Sequence, residues 1–384
     1  MNMLAQRPPM GWNSWNTFGE DISEKMIMEM ADAMVEKGYL AAGYEYLVID
    51  DCWAERERGA DGRLVANAEK FPHGMKAIAD YIHSKGLKFG MYSCAGIRTC
   101  AGYPASFDHE YLDAQTFADW EVDFLKYDYC SFPANAHCQK HYHRMSMALK
   151  ATGRDILFSA CNWGIEEPWK WMGSIGAHMY RSTYDIQDNY ASFKNLGLSQ
   201  IENLSMSGSG CFNDPDMLVV GMYGKGLVGL GGCDDNEYRT HFALWCLFGV
   251  PLIMGGDIRS LSDTSRELLL NKELIAINQD EECRAPYLVR NTRDSFVGEH
   301  YYFIRHLSNH EFVLAHFNFA DKADGEYGCY GCSFDDIGIP FSSGYGLELT
   351  DVFTGENMGV KQDYFLPPVE AHGCKVYKGK LVRV

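Results

Sequence analysis

Short apolar runs, separated by stretches with helical periodicity, recur along the first 280 residues. They predict strands at Met10–Asn13, Tyr46–Asp50, Leu87–Tyr92, Asp123–Tyr127, Ile156–Ala160, His178–Ser182, Asp216–Val220 and Pro251–Met254. These runs do not alternate with polar residues, which is typical of strands buried on both faces of a parallel sheet. Eight such strands with helical crossovers indicate a (β/α)8 TIM barrel, a fold of the α/β class.

The segments between these runs carry apolar residues at three- and four-residue spacing, which predicts amphipathic helices. One such pattern runs from Ile27 to Val35 and ends at Gly38. The stretches "EYRTHFALWCLFG" and "TSRELLLNKELIAIN" predict the last two helices of the barrel.

After Asp280 the pattern changes to alternating strands without intervening helices. The stretches "HYYFIRHL", "EFVLAHFNF", "GLELTDVF" and "HGCKVYKGKLVRV" show it. We expect a C-terminal antiparallel β-sandwich domain there. The predicted division is a catalytic barrel at 1–285 and a sandwich at 286–384.

Composition and charge exclude some classes of partner. The chain has 384 residues, 46% of them hydrophobic, and a formal net charge of −18. Nucleic acids and acidic membranes need basic surface, so neither is expected as a partner. No apolar run approaches the roughly 18 residues of a membrane span, and the start shows no signal-peptide pattern. We therefore expect a cytoplasmic protein. The sequence does not distinguish a monomer from a homo-oligomer.

The cysteines and histidines do not predict a metal centre or a cofactor. Thirteen scattered cysteines fit reduced thiols better than a disulfide scaffold. Cys329 and Cys332 have zinc-like spacing, but no second such pair follows. His137 and His141 lie one helical turn apart, but a solvated helix start explains them better than a metal site does.

Chemistry collects at the carboxyl ends of the predicted strands, where TIM barrels carry their active sites. In "DFLKYDYC" the apolar run ends in Lys126 and Asp128, which share a face because residues two apart in a strand point the same way. Neighbouring strand ends contribute carboxylates, aromatic rings, a further cation and an amide: Trp15, Asp50, Asp51, Tyr92, Asn162, Arg181, Asp185, Asp214 and Asp216.

Each of these carboxylates taken singly could be a helix N-cap. A metallohydrolase would also use carboxylates, but its histidine ligands are missing from these strand ends. Carboxylates with Lys, Arg and Trp suit a polyhydroxyl ligand, since they accept from and donate to hydroxyls while the ring stacks on a sugar face. Two of the carboxylates could flank a glycosidic bond.

Six motifs in order resemble the signature series of glycoside hydrolase family 27, the α-galactosidase or melibiase family. They are "GWNSWNTF", "IDDCW", "KYDYC", "CNWG", "RSTYD" and "NDPDML", and "AINQD" follows them, so the resemblance covers the whole predicted barrel. The resemblance implies a hydrolase that removes terminal α-linked galactose from a small galactoside or oligosaccharide with retention of configuration.

The resemblance also implies roles for particular residues. Asp128 falls on the family's catalytic nucleophile and Asp185 on its acid/base. Lys126, on the same face as Asp128, would keep that carboxylate ionised, and Asp185 should have a raised pKa because it must begin protonated. A retaining mechanism places the two carboxyl groups about 5–5.5 Å apart.

The resemblance also assigns pocket residues to particular hydroxyl groups of galactose. Asp50 and Asp51 match the pair that binds the 4- and 6-hydroxyls, and Trp15 matches the wall beside them. Tyr92 matches the floor of the pocket, and Asn162 matches a contact to the 2-hydroxyl. The 2- and 3-hydroxyl side is matched by Lys126, Arg181 and Asp216.

Two alternatives remain within the family, α-N-acetylgalactosaminidase and β-L-arabinopyranosidase, and one outside it, a sugar-binding protein without turnover. Asn162 and the intact Asp50–Asp51 pair favour galactose, and the presence of Asp128 and Asp185 disfavours the binding protein.

The sequence departs from the family pattern at Cys94, Tyr129, Tyr184 and Cys211, which bears on the aglycone. Cys100 and Cys130 match a family disulfide pair, although a reducing cytoplasm would keep them as thiols.

Overall fold

Eight parallel strands form one continuous sheet in the computed structural model, which describes residues 4–134, 136–294, 298–324, 332–365 and 367–384. The strands of this half of the chain are β1 Met10–Asn13, β2 Tyr46–Val48, β3 Lys88–Cys94, β4 Phe124–Asp128, β5 Leu157–Cys161, β6 Met179–Arg181, β7 Asp188–Asn189, β8 Phe212–Asp214, β9 Gly229–Gly232 and β10 Leu252–Met254. The order in the large sheet is β10-β1-β2-β3-β4-β5-β6-β8, and β7 pairs with β9 in a separate ribbon. The predicted barrel architecture is confirmed.

The seventh barrel strand lies earlier in the chain than predicted. β8 ends at Asp214, whereas the sequence analysis placed the strand at Asp216–Val220. Pro215 has no N–H to donate to a ladder, and Asp216 has a φ of +92°, so the extended backbone is interrupted there. Beyond the interruption, Leu218 makes a single parallel bridge to Met254 of β10 and joins the two edges of the sheet.

Nine helices lie in the described part of the barrel sequence. They are α1 Trp15–Phe18, α2 Glu24–Glu36, α3 Gly74–Ser84, α4 Glu110–Asp119, α5 Cys138–Ala151, α6 Tyr190–Leu198, α7 Asp235–Phe248, α8 Asp263–Leu269 and α9 Lys272–Asn278. The single helix predicted for "TSRELLLNKELIAIN" is wrong, because the Asn271 side chain accepts a hydrogen bond from the Leu274 N–H and begins a second helix. Among the described residues, no helix combines the length and the apolar character needed to cross a membrane.

The C-terminal region is a six-stranded antiparallel sheet with a small second layer. Its strands are β11 Tyr287–Asp294, β12 Gly298–His306, β13 Glu311–Asn318, β14 Cys332–Ser333, β15 Tyr345–Asp351, β16 Asn357–Lys361, β17 Tyr364–Phe365 and β18 Cys374–Arg383. The order of the large sheet is β11-β12-β13-β18-β15-β16, while β14 pairs with β17.

The two faces of the large C-terminal sheet have different neighbours because strand side chains alternate. Ile304 and Leu314 pack with Phe334 of the second layer. Phe303 belongs to the main core, and its ring lies 5.4 Å from that of Phe248 at the end of α7. The sheet is thus packed directly on the barrel. The predicted boundary at 285/286 stays a prediction.

Candidate active site

A cavity of about 220 Å³ opens at the carboxyl ends of the barrel strands. Nine of the ten residues that were assigned a catalytic or sugar-binding role line it: Trp15, Asp50, Asp51, Tyr92, Lys126, Asp128, Arg181, Asp185 and Asp216. Parallel barrel strands deliver their last residues to one rim, which is why positions far apart in sequence meet here. The cavity is about the size of a single sugar ring, smaller than the pockets that hold drug-sized ligands.

Asp128, at the end of β4, is buried at the base of this cavity. Its Oδ2 accepts a hydrogen bond from the Tyr92 hydroxyl at 3.0 Å, and its Oδ1 accepts one from the Tyr129 N–H at 2.8 Å. Burial raises the pKa of Asp128, while the Lys126 ammonium and these two donors oppose the increase. The carboxylate therefore lies in an environment that desolvates it yet holds both oxygens in place.

Lys126 makes its close ion pair with Asp50. The Lys126 Nζ lies 2.8 Å from Asp50 Oδ2, and the Asn13 side-chain amide donates to the same oxygen at 2.7 Å. Burial works against the charged ammonium, but the neighbouring carboxylates, Asp50 foremost, raise the pKa of Lys126. Lys126 acts on Asp128 through its charge, as predicted, but its direct hydrogen bond goes to Asp50.

Asp51 is held by the backbone of two loops. Its Oδ1 accepts from the Cys52 N–H at 2.7 Å, and its Oδ2 accepts from the Ala101 N–H at 3.0 Å. Burial raises the pKa of Asp51, and these backbone donors counteract the effect. The β2 and β3 loops thus fix this carboxylate before any ligand binds.

Arg181, at the end of β6, joins two carboxylates of different exposure. Its Nη2 lies 2.7 Å from Asp185 Oδ1 and 2.7 Å from Asp216 Oδ2. Asp216 is buried, and it also accepts from the Ile186 N–H at 2.8 Å. The Asp185 side chain is 66% exposed at the mouth of the cavity. The predicted acid/base is therefore placed beside a guanidinium at the entrance.

Asn162 is the one residue with an assigned role that does not line the cavity. It is fully buried, and its amide nitrogen donates to the Ile165 carbonyl at 2.5 Å, turned toward the loop after β5. The flanking residues Cys161 and Trp163 line the cavity. The predicted contact of Asn162 with the 2-hydroxyl stays a prediction.

The sequence analysis missed several residues that shape the cavity. Cys161, Gln187, Leu227 and Val228 contribute to its walls. The last two come from the loop before β9, which has no strand-end signal, so the sequence offered no reason to select them. Cys161 precedes the predicted Asn162 and could have been found by considering both neighbours of each strand end.

The residues that depart from the family pattern surround the cavity. Tyr184 is 71% exposed beside Asp185, and the Tyr129 ring stacks on that of Phe132 at 4.5 Å. Cys94 is buried, and its thiol donates to the Cys130 carbonyl at 3.1 Å. Cys211 is half-buried beyond the cavity lining. Tyr184 is thus exposed next to the carboxylate at the mouth of the cavity.

Cys100 and Cys130 form a disulfide next to Asp128. Their Cα atoms are 5.1 Å apart, and Cys100 Sγ lies 3.8 Å from Asp128 Oδ2. A Cβ on Gly96 would collide with the Cys130 carbonyl oxygen, so the two loops can approach only with glycine there. Disulfides are rare in reducing compartments, so this pair does not favour the predicted cytoplasmic location, which stays a prediction.

A larger cavity of about 930 Å³ lies between α6 and the C-terminal sheet. Three of its charged residues form ion pairs within the cavity, since Lys194 and Arg293 both contact Glu299. It is shallow and open to solvent, and it shares no residue with the strand-end cavity. The convergent carboxylates therefore identify the smaller cavity as the candidate active site.

The chain is similar to known proteins over its whole length. The family model described as Alpha galactosidase A matches residues 7–280. An alpha-galactosidase of Cyamopsis tetragonoloba is 42% identical over 377 residues, covering 98% of this chain and 87% of that protein. The crystal structure of alpha-galactosidase I from Mortierella vinacea aligns with a TM-score of 0.90 at 33% identity, over 99% of this chain and 98% of that one.

A structure of the α-galactosidase from Saccharomyces cerevisiae with raffinose aligns with a TM-score of 0.86 at 27% identity, over 99% of this chain and 98% of that one. The family match, the near-complete alignments and the strand-end cavity agree with the order of the six motifs. The chain belongs to the melibiase family of α-galactosidases, glycoside hydrolase family 27.

Proposed function

We propose that this protein is a retaining α-galactosidase that removes terminal α-linked galactose from galactosides. The observation that carries the proposal is the cavity of about 220 Å³ in which buried Asp128 and exposed Asp185 meet four hydroxyl-binding groups: Asp50, Asp51, Lys126 and Arg181. The relatives named α-galactosidase and the yeast enzyme with raffinose support an oligosaccharide as substrate.

In the proposed first step, Asp128 attacks the anomeric carbon of galactose. The bond to the glycosidic oxygen breaks, and Asp185 gives its proton to that oxygen, so the aglycone leaves as an alcohol. Both oxygens of Asp128 are already oriented by Tyr92 and Tyr129, so the nucleophile needs no rearrangement.

In the second step, water replaces the aglycone. Asp185 accepts a proton from this water, whose oxygen bonds to the anomeric carbon as the ester to Asp128 breaks. Free galactose and both carboxyl groups are regenerated. The exposed position of Asp185 suits this role, because the leaving alcohol and the entering water pass the mouth of the cavity.

The buried groups would hold the sugar rather than react with it. The oriented carboxylates Asp50 and Asp51 accept hydrogen bonds from galactose hydroxyls, while Lys126 and Arg181 donate to its oxygens. A ligand hydroxyl that replaces Asp185 on the guanidinium would free that carboxyl group to protonate the leaving oxygen.

The related activities on N-acetylgalactosamine and β-L-arabinopyranose are the competing proposals. Asp50 and Asp51 both line the cavity, where they can hold the 6-hydroxymethyl group that arabinopyranose lacks. We expect nitrophenyl α-galactoside to be hydrolysed with the highest kcat/KM when all three nitrophenyl glycosides are assayed together. A higher value for either competitor would reassign the substrate.

Azide rescue tests the two catalytic assignments. Asp128→Ala should fold and lose nearly all turnover; azide can then attack the anomeric carbon directly and give β-galactosyl azide. Asp185→Ala still forms the galactosyl enzyme from an activated nitrophenyl substrate, and azide should then give α-galactosyl azide. The opposite pairing of products, or more than a tenth of wild-type turnover in Asp128→Ala without azide, would contradict these roles.

The stereochemistry of hydrolysis tests the predicted carboxyl separation of about 5–5.5 Å. Asp128 and Asp185 follow β4 and β6, with β5 between them, and adjacent strands are about 4.8 Å apart. Side chains leaning inward leave no room for a water behind the anomeric carbon. NMR of the first-formed sugar should show α-galactose; β-galactose appearing first would indicate an inverting enzyme.

A further inference from the structure

A buried cluster of two histidines and an aspartate lies in the C-terminal sheet, away from the candidate active site. His300 on β12 and His316 on β13 are 1% and 4% exposed, and the Asp324 side chain is 1% exposed. His316 pairs directly with Tyr302, so His300 and His316 are diagonal neighbours on one face of the sheet. Asp324 reaches them from the segment after β13.

One ligand atom from each of the three side chains can be chosen so that all three atoms lie within 4.8 Å of one another. His300 Nδ1 lies 3.1 Å from His316 Nε2, His300 Nε2 lies 3.5 Å from Asp324 Oδ1, and His316 Nε2 lies 4.0 Å from Asp324 Oδ2. The two His300 nitrogens face different partners and an imidazole binds an ion through only one of them, so the ligand atoms would draw together to the separation of about 3.3–3.5 Å that bonds of about 2.0–2.1 Å give in a tetrahedral shell. Only the first distance is that of a hydrogen bond; the two to the carboxylate are too long.

A further observation indicates a ligand rather than a closed hydrogen-bond network. Asp324 Oδ1 is a buried polar atom without a hydrogen-bond partner in the described residues. A buried carboxylate oxygen without a donor costs several kcal/mol unless a positive charge lies beside it. A cation between the three side chains would remove that cost.

The surroundings hold the three side chains in place, as outer-shell contacts do at metal sites. The Val369 N–H donates to Asp324 Oδ2 at 3.1 Å, and the Asp324 N–H donates to the Val369 carbonyl at 3.0 Å. The His316 ring stacks on that of Tyr302 at 4.1 Å. The carboxylate and one imidazole are thus fixed before an ion binds.

We propose that His300, His316 and Asp324 bind one divalent transition-metal ion, zinc by preference. Two imidazoles and one carboxylate form a ligand set suited to zinc, and the remaining position is left for water or another donor. The ion would tie β12 and β13 to the segment that follows β13, so its role is structural. The site shares no residue with the strand-end cavity and does not depend on the proposed function.

The sequence analysis did not predict this site. It considered Cys329 and Cys332 as a metal-binding pair instead, and the side chains of both lie outside the described residues. His137 and His141 belong to neither group of close ligand atoms found among the described residues. The other group consists of Asp128 and the disulfide-bonded Cys100 and Cys130, whose sulfurs are committed to each other.

Metal content and stability test the proposal. The full chain, incubated with zinc and dialysed against metal-free buffer, should retain about one equivalent by elemental analysis. Asp324→Asn and His316→Gln should bind zinc at least tenfold more weakly in competition with a chromophoric chelator. His306→Gln is the matched control, because His306 lies on β12 like His300, packs on Phe312 and belongs to neither group of close ligand atoms among the described residues.

Chelation should lower the melting temperature of the wild type and of His306→Gln but leave that of Asp324→Asn unchanged. Hydrolysis of the α-galactoside at 25 °C should continue in all of them, which shows that the barrel is folded. The proposal is overturned if the wild type retains no zinc after incubation, or if Asp324→Asn and His316→Gln both bind it as tightly as the wild type does.

Discussion

At the scale of single residues, the candidate active site is a balance between burial and charge. Burial disfavours the ionised form of Asp128, and Lys126, Tyr92 and the Tyr129 N–H oppose it. The Lys126 ammonium serves two carboxylates at once, Asp50 through contact and Asp128 through its field. The neighbours of Asp128 therefore determine together the pH range in which Asp128 is ionised and can act as a nucleophile.

Tyr92→Phe should lower kcat/KM for the α-galactoside by roughly tenfold, the usual effect of losing a hydrogen bond to a charged group. Asp128 attacks only when ionised, so activity falls as the pH drops through its pKa. The Tyr92 hydroxyl stabilises the ionised form, so its loss should raise that pKa and move the acid limb of the kcat/KM profile to higher pH.

Tyr142→Phe is the control for this experiment. The Tyr142 hydroxyl donates to the backbone carbonyls of Asp128 and Cys161, each at 3.0 Å, and not to the carboxylate. Its acid limb should remain in place. An unmoved limb in Tyr92→Phe, or an equal movement in both variants, would show that Tyr92 does not stabilise the nucleophile.

At the scale of elements, short strands position the residues of the candidate site, and capped helices stabilise the fold. β8 is three residues long and ends at Asp214, two residues before Asp216, which lines the cavity. The strand therefore stops where the backbone turns to place the Asp216 carboxylate. Burial raises the pKa of Asp214 to about 6 despite the nearby Arg181. α7, by contrast, begins with a complete capping box formed by Asp234 and Glu237.

Asp234→Ala should lower the free energy of unfolding by about 1 kcal/mol, because the Glu237 N–H loses its acceptor at 2.8 Å. The measurement is a urea titration followed by circular dichroism, together with kcat, which should not change. Asp234→Asn keeps an acceptor oxygen and should remain within a few tenths of a kcal/mol of the wild type. Equal losses in both variants would mean that the carboxylate charge, not the cap, stabilises α7.

At the scale of the whole molecule, a buried arginine connects the C-terminal sheet to helix α7 of the barrel. Arg305 on β12 is 1% exposed, and its Nη1 donates to the carbonyls of Cys246 and Leu247 at the end of α7, at 3.1 and 2.9 Å. A Cβ on Gly249 would lie 3.0 Å from Arg305 Nη2, so glycine is favoured there by space as well as by its φ of +64°. The C-terminal domain thus completes a helix of the barrel.

Arg305→Met should destabilise the protein by about 3 kcal/mol, since two charge-assisted hydrogen bonds are lost and the Leu247 carbonyl loses the Arg305 donor, while the Cys246 carbonyl keeps the Gly249 N–H. Thermal melting and denaturant titration measure the loss, and kcat at 25 °C should be unchanged.

Arg290→Met, at an exposed ion pair on neighbouring β11, should change stability by no more than about 1 kcal/mol. If Arg305→Met is no worse than this control, Arg305 does not hold the domains together.

Local sequence patterns were sufficient for the barrel and for most of the site. Apolar runs and helical periodicity are consequences of short-range geometry, so β4 and its end at Asp128 could be placed without a structure. Because every barrel strand delivers its carboxyl end to the same rim, nine of the ten residues with an assigned role reached one cavity. The roles assigned to them remain predictions.

Tertiary structure decided the direction of side chains and the contacts between distant segments. The sequence predicted where β5 ends, but only the tertiary structure showed that the Asn162 side chain turns to the Ile165 carbonyl. Cys161 and Trp163, on either side of Asn162, line the cavity. Lys126 could equally have paired with Asp128, since both share a face of β4; the position of β2 relative to β4 selected Asp50.

Contacts between distant segments also explain why the sequence analysis did not predict the cluster of His300, His316 and Asp324. They are separated by 16 and 8 residues, and the pairing of β12 with β13 and the course of the chain after β13 bring them together. The sequence determined where strands and helices form, because periodicity depends on neighbouring residues. It could not determine which side chains meet across those elements, because that depends on register and packing along the whole chain.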